Sequence, residues 1–338
     1  MNWRIIAIPA SMIPILIIAI QFEIKPEDVF AIGILPFLAA VGAMMIKLIL
    51  QGMKFAYIVR KYLGPIDSIS KLAGVRMGSE FIKFTTPMFV GAEFIIIYWL
   101  RKKGISTSKS SWIAILDIVT EVFAGGLLAI MAGILALMNG AIVVAAIVLS
   151  TSVFVTTLWM ILFFLSSKKT FQVPKGISNL VKKFGKDKGE HIIDQTNQWM
   201  EEICSISRKN LRTKESKKVS ANCFILSIIS WIFYGASFMI IANETGYVID
   251  LFDSLMAVMG ANAIGNLPIT VGGSGLAEFG IVAYLNNLEP FNFEIPQESI
   301  EWSAVIGWRI ATYYVPLVVT WLLLVKLALS KYTKPNIS

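Results

Sequence analysis

GNLPITVGGSGLAE, residues 265–278, places four glycines and a proline in the middle of a long apolar region. In isolation the stretch fits a flexible loop, a phosphate-cradling nucleotide loop, or a break in a membrane helix. A nucleotide loop needs a strand before it and a water-exposed helix N-terminus after it. The flanks of this stretch offer neither. The chain has 338 residues, of which 56% are hydrophobic and 15% charged, whereas a soluble domain carries roughly one quarter charged residues. The apolar runs reach the roughly 20 residues needed to cross a bilayer. One polytopic, all-α integral membrane domain over residues 1–338 is therefore expected.

At the N-terminus, the apolar run over residues 5–22 is of spanning length and ends in bulky residues. A cleaved signal would show a shorter core and small residues at its end, so a retained first helix is expected. Cys204 and Cys223 are the only cysteines and His191 the only histidine. Neither a disulfide framework nor a metal site follows from so few. No cofactor, metal or catalytic residue is expected, and the two thiols read as lying at the cytoplasmic face or at a helix end.

The net charge of +8 is unevenly placed. Residues 167–219 hold Lys168, Lys169, Lys182, Lys183, Arg208, Arg212, Lys217 and Lys218 and read as a basic cytoplasmic loop. Such a loop fixes topology and can touch anionic headgroups. Its charges lack interleaved stacking aromatics, so nucleic acid is not an expected partner.

From Lys109 to Lys168 there is no basic residue, and two spans, 111–138 and 141–166, fit around an external turn at Asn139-Gly140. The segments 51–76 (Lys54, Arg60, Lys61, Lys71, Arg76) and 101–109 (Arg101, Lys102, Lys103, Lys109) both read as cytoplasmic. A single crossing over the intervening residues 77–100 would separate them, whereas a re-entrant hairpin keeps them together. Further on, residues 251–286 have acidic flanks: Glu244 and Asp250 before, Glu289, Glu294, Glu298 and Glu301 after. A second hairpin, entering from outside, is expected there, between spans at about 220–241 and 300–326. The scheme has about six full transmembrane helices, two re-entrant hairpins and both termini cytoplasmic, in the cell membrane.

The hairpins share a pattern. MGSEFIKFTTPMFVGAEFIIIYWL (77–100) and MGANAIGNLPITVGGSGLAEFGIVAYL (259–285) each run Met-Gly, Pro, Gly four residues later, then Glu. The matching residues are Pro87, Gly91 and Glu93 in the first, Pro268, Gly272 and Glu278 in the second, where Gly273 belongs to a short insertion. Inverted repeats with interrupted helices mark transporter folds. Proline stops a helix, glycine permits the reversal, and open backbone at membrane depth persists only against protein or a water-filled cavity. Repeat one is placed at about 28–166 and repeat two at about 220–330.

Ionisable residues at membrane depth are candidate functional groups. Asp117 and Glu121 are one turn apart on one span, and Arg309 lies on the last. An unpaired buried Arg is costly. Arg309 either forms a structural bridge to an acid such as Glu121 or binds a substrate phosphate with its bidentate fork. Tyr313 and Tyr314, one turn on, either line the same cavity or pack.

With these residues in place, GNLPITVGGSGLAEFG followed by GWRIATYYVP resembles the membrane region of the lysylphosphatidylglycerol synthase/flippase family, over roughly residues 5 to 330. The second-half pattern matches at Pro268, Gly272, Gly273, Gly275 and Glu278, then Arg309, Tyr313 and Pro316; the first-half pattern at Pro87, Gly91 and Glu93. There are two departures. Val271 replaces a proline, and Glu121 is followed by Val122 where the family pattern has Glu-Arg. The resemblance implies lipid translocation between leaflets. These 338 residues hold no counterpart of the soluble aminoacyl-transferring domain, so lysyl transfer is not expected.

The leading expectation is a flippase for an anionic, phosphate-bearing lipid: a modified phospholipid or a polyprenyl-phosphate-linked sugar. No ATPase signature is visible, which makes Asp117 and Glu121 the candidates for any proton coupling. The alternatives are a membrane transferase with Asp117 or Glu121 as general base, and a non-catalytic scaffold. Membrane lipids are the expected partners, and a homo-oligomer is left open.

Overall fold

In the computed structural model, the described residues are 25–86, 91–166, 172–183, 186–211, 213–267, 269–286 and 302–329, with a few single positions besides. The expected helix over residues 5–22, Pro87, Pro268, the acidic residues beyond Glu278 and the last lysines lie outside them. Among the described residues there are helices and no strands.

After a short α1 (Pro26–Phe30) come α2 (Ile34–Leu63), α3 (Ile69–Phe84), α4 (Ala92–Lys102), α5 (Thr107–Met138) and α6 (Ile142–Ser166). Then follow α7 (Lys175–Lys183), α8 (Lys186–Leu211), α9 (Lys214–Glu244), α10 (Leu251–Gly265) and α11 (Leu276–Leu285). The last helix, α12, runs Trp302–Arg309, a π turn Ile310–Tyr314, then Val315–Leu329. Five of these, α2, α5, α6, α9 and α12, are long and apolar enough to cross a bilayer. Their outward faces carry exposed Leu127, Phe154, Ile161 and Leu322, as lipid-facing helices do. The chain is a multi-pass membrane protein.

The order of a long helix, two short helices and a long helix occurs twice: α2, α3–α4, α5 and again α9, α10–α11, α12. At 1.5 Å per residue the 11 residues of α4 and the 10 of α11 each reach roughly 15 Å, half of a bilayer core. The chain reverses inside each pair. Gly280 approaches Ala261 and Gly265 approaches Ala277, so α10 and α11 run antiparallel at backbone contact. Leu72 and Val75 of α3 share a core cluster with Ile96, Trp99 and Leu100 of α4.

The two halves are interlocked. α2 lies along α9, α3 along α12, and α10 along α5. Small residues permit close approach both between and within halves: Gly78 of α3 meets Leu324 of α12, Gly52 of α2 meets Ala73 of α3, and Gly235 of α9 meets Leu255 of α10. The segment read as a basic loop is largely helical. Its α8 docks on the start of α5, through Trp199 Nε1 donating to Ser111 Oγ (3.3 Å) and Ser108 donating to Glu202. Cys204 and Cys223 are buried on the inward faces of α8 and α9, away from helix ends, while Ser205 and Ile225 nearby are exposed.

Candidate functional site

A cavity of about 210 Å³ opens halfway along α5 and α6. Its wall is drawn from α2 (Met44, Lys47), α5 (Glu121, Val122), α6 (Thr156, Trp159), α9 (Trp231, Tyr234) and α12 (Arg309, Tyr313). The ends of both broken helices complete it, with Lys83 and Phe84 from α3 and Asn262 and Asn266 from α10. Lys83, Val122, Val155, Trp159, Asn262 and Asn266 of the wall are half-buried, whereas Met44, Lys47, Glu121, Trp231, Arg309 and Tyr313 are buried. The volume is below the roughly 300–1,000 Å³ of pockets for drug-sized ligands, so it has room for a small polar group only.

Beside the cavity lies a dense ionic network. Arg76 on α3 donates from Nε to Asp117 Oδ2 at 2.6 Å and from Nη2 to Glu121 Oε2 at 2.7 Å. Its Nη1 donates to Glu80, one turn along α3. Lys83 Nζ donates to Glu121 Oε1 at 2.7 Å. Lys54 on α2 donates to the Asp117 carbonyl at 2.8 Å and lies 3.2 Å from its Oδ1. Three cations thus answer three carboxylates at positions largely out of water. Removing one partner from such a pair costs about 3–5 kcal/mol, since the survivor is left charged and dry.

A second, smaller latch holds the other break. Arg309 Nε lies 2.7 Å from Glu278 Oε1, with both side chains buried. Its Nη2 donates to the Gly272 carbonyl and to Ser274 Oγ (3.3 Å). The guanidinium sits 4.1 Å from the centre of the Tyr313 ring. Gly272 is left-handed (φ 58°), and a Cβ there would run into the Tyr313 ring. Gly273 (φ 64°) would bring a Cβ to 2.9 Å from the Gly265 carbonyl oxygen. Glycine is therefore required here for backbone angle and for space.

Tyr313 joins the two breaks. Its ring packs on Gly272, its hydroxyl donates to the Phe84 carbonyl at 2.7 Å, and the rings of Phe84 and Tyr313 meet edge-on at 5.4 Å. The π turn of α12 places it there. Pro316 lacks the N–H that would bond the Thr312 carbonyl, and the wider turn accommodates this.

The fold and cavity together define a class: a multi-pass helical membrane protein in which the ends of two short helices, α3 and α10, meet at a small charged pocket. The chain matches the family model described as the lysylphosphatidylglycerol synthase TM region over residues 26–320, and it belongs to that family. No curated protein matches it.

Of the residues singled out from sequence, Arg309, Glu121 and Tyr313 line the cavity. Asp117 sits one turn from Glu121, within the ionic network. Glu278, Gly272 and Gly273 form the second latch. Glu93 is removed from both: half-buried, it accepts from the Gly91 amide at 3.0 Å and caps its own helix. Glu278 accepts likewise from the Gly275 amide at 2.7 Å.

Three expectations are corrected. Arg309 bridges to Glu278 rather than Glu121, because Glu121 is already held by Arg76 and Lys83. Glu121 does have an arginine, supplied across the helix interface from α3 rather than by its neighbour in sequence. Arg76 and Lys54, read as markers of a cytoplasmic face, are buried and ion-paired. Their proximity in sequence to exposed basic residues hid this.

Sequence reasoning also missed Lys47. It is 8% exposed, and its ammonium lies 3.9 Å from the centre of the Tyr234 ring and 4.2 Å from that of Trp231. Such contacts contribute about 2 kcal/mol when desolvated, which falls short of the several kcal/mol that burying an ammonium costs. The signal was present: a lone lysine inside the apolar run MMIKLIL, residues 44–50.

Proposed function

We propose that the chain is a lipid translocator that moves an anionic, phosphate-bearing lipid between leaflets. The observation that carries the reading is the cavity halfway along the spans, framed by both helix breaks and bridged by Tyr313. The polar headgroup enters the cavity while the tails stay in the bilayer. The family is associated with lipid modification and flipping, and modified phospholipids and polyprenyl-phosphate-linked sugars are the substrate classes it brings into view.

In this reading α3–α4 and α10–α11 are re-entrant hairpins of two inverted repeats. Two observations support it: the helices of each pair are short, and the partners are exchanged between halves, α3 lying on α12 and α10 on α5. Both termini are cytoplasmic, the protein sits in the cell membrane, and the basic segment around α7 and α8 faces the cytoplasm. Arg309 belongs to the substrate pathway and also fastens the second break.

The transferase alternative requires Asp117 or Glu121 to act as a general base. Each is bound by at least two cations, so its carboxylate oxygens are already engaged within the network. The same pairing weighs against them as carriers of a coupling proton.

The test is reconstitution into vesicles with fluorescent phosphatidylglycerol or phosphatidylcholine, following leaflet exchange. Exchange of the anionic lipid is expected, with loss in Arg309→Ala. Intact protein that exchanges no anionic lipid would sink the reading, and wild-type rates in Arg309→Ala would make that residue purely structural. Single cysteines placed over 269–275 report sidedness. Labelling from the cytoplasm alone would overturn the external entry of the second hairpin.

A further inference from the structure

Among the described residues the interior charges do not balance, and the excess lies at the cavity wall. Lys54, Arg76 and Lys83 are answered by Glu80, Asp117 and Glu121, and Arg309 by Glu278. Lys47, more than nine-tenths buried and lining the cavity, has no carboxylate or hydrogen-bond partner among the described residues. Only the faces of Trp231 and Tyr234 hold its ammonium. Two neutral groups on the same wall are also unsatisfied, Trp231 Nε1 and Thr156 Oγ1.

We infer that the cavity is a site for a singly charged phosphodiester, and that Lys47 is the residue that selects it. One unanswered positive charge in a low-dielectric interior matches one negative charge. A phosphomonoester brings up to two and a terminal diphosphate up to three, and either leaves the excess desolvated. The two non-bridging oxygens of a diester accept from Lys47 and from the Trp231 or Thr156 donors, and both remaining phosphate oxygens carry substituents that lead out of the pocket. That the anion is a phosphate rests on the translocator reading. Within that reading the charge balance narrows the substrate: polyprenyl monophosphate sugars and diester phospholipids whose headgroup carries no cation fit, whereas polyprenyl diphosphates and choline-type zwitterions do not.

The experiment measures lipid binding to the purified full chain by native mass spectrometry. The probes are phosphatidylglycerol, phosphatidylcholine, phosphatidic acid and water-soluble glycerophosphoglycerol. Wild type is expected to prefer phosphatidylglycerol over phosphatidylcholine by about tenfold or more, as one charge-assisted contact allows. Lys47→Met should erase that preference and Lys47→Arg retain it. In lipid-free detergent, the melting temperature of Lys47→Met should equal or exceed that of wild type, because an unanswered buried charge has been removed. Lys47-dependent capture of glycerophosphoglycerol would assign the site to the headgroup alone. Capture of phosphatidylglycerol only would add a requirement for tails.

Tighter binding of phosphatidic acid than of phosphatidylglycerol would overturn the single-charge assignment. A Lys47→Met protein with wild-type preference would overturn the role of Lys47, and so would one too unstable to purify, since Lys47 would then be holding the fold. Leaflet exchange is scored separately. Lys47-dependent binding without exchange would sink translocation and keep the site, and exchange with an unchanged headgroup preference in Lys47→Met would do the reverse.

Discussion

In the first half of the molecule, the broken pair α3–α4 presents cations, Arg76 and Lys83, to acids Asp117 and Glu121 on the long helix that follows. In the second half the polarity is reversed: Glu278 stands on the broken pair and Arg309 on the long helix. An ion pair fixes two elements whichever side carries the plus sign, so the sign is free to differ between copies. The number of partners is not equivalent. Arg76 answers three carboxylates, whereas Arg309 answers one and leans on the Gly272 carbonyl for the rest. The first latch is a network of side chains, and the second depends on a backbone conformation.

This contrast sets the order of expected damage. Arg76→Met leaves three interior acids to share two cations, Lys54 and Lys83, and should cost the most, about 3–5 kcal/mol by SDS-titration unfolding. A loss near zero would mean that the acids are not charged in the fold. Glu278→Gln should cost less, about 2–3 kcal/mol, because Arg309 keeps its bonds to Gly272 and Ser274. A double-mutant cycle with Arg309→Met should then show coupling of about 0.5–3 kcal/mol, and strict additivity would dissolve the pair. Gly272→Ala, strained in angle and crowded by Tyr313, should lower stability by about 1–3 kcal/mol. Its control is Gly42→Ala on α2, where a Cβ meets nothing within 4 Å, so stability should hold or rise by up to about 1 kcal/mol. Tyr313→Phe removes the hydroxyl that bonds the Phe84 carbonyl and should cost about 1 kcal/mol. An equal loss of stability in Tyr313→Phe and Gly272→Ala would make the bridge between breaks, rather than the glycine, the weak point of the second latch.

Much of this architecture could be read in advance because hydropathy and helix breaking are local. The spans at 111–138, 141–166, 220–241 and 300–326 return as α5, α6, α9 and α12, each extended or trimmed by a few residues. The Asn139-Gly140 turn falls between α5 and α6, with Gly140 left-handed (φ 83°). Asp117 and Glu121 do share a face, since one helical turn dictates it, and both reach Arg76. What escaped was anything set by partners far along the chain. Arg76 and Lys71 are five residues apart, and nothing in their spacing tells a buried guanidinium from an exposed ammonium. Lys71 pairs with Asp67 at the surface, while Arg76 turns inward to meet residues about 40 positions later. Glu93 and Glu278 look alike in sequence and both cap a helix, yet only Glu278 finds an arginine, because α12 passes the second break.

The π turn of α12 sits between Arg309, which secures one break, and Leu324, which abuts Gly78 midway along the helix that leads into the other. A π turn is one residue added to an α-helix, and one residue is roughly 100° of rotation about the axis. Excising a single residue from Ile310–Tyr314 would therefore act as a twist of one end of the helix against the other, swinging Arg309 off Glu278 while Leu324 stayed seated. The helix carries its phase as an odd residue, and both halves of the protein are timed to it.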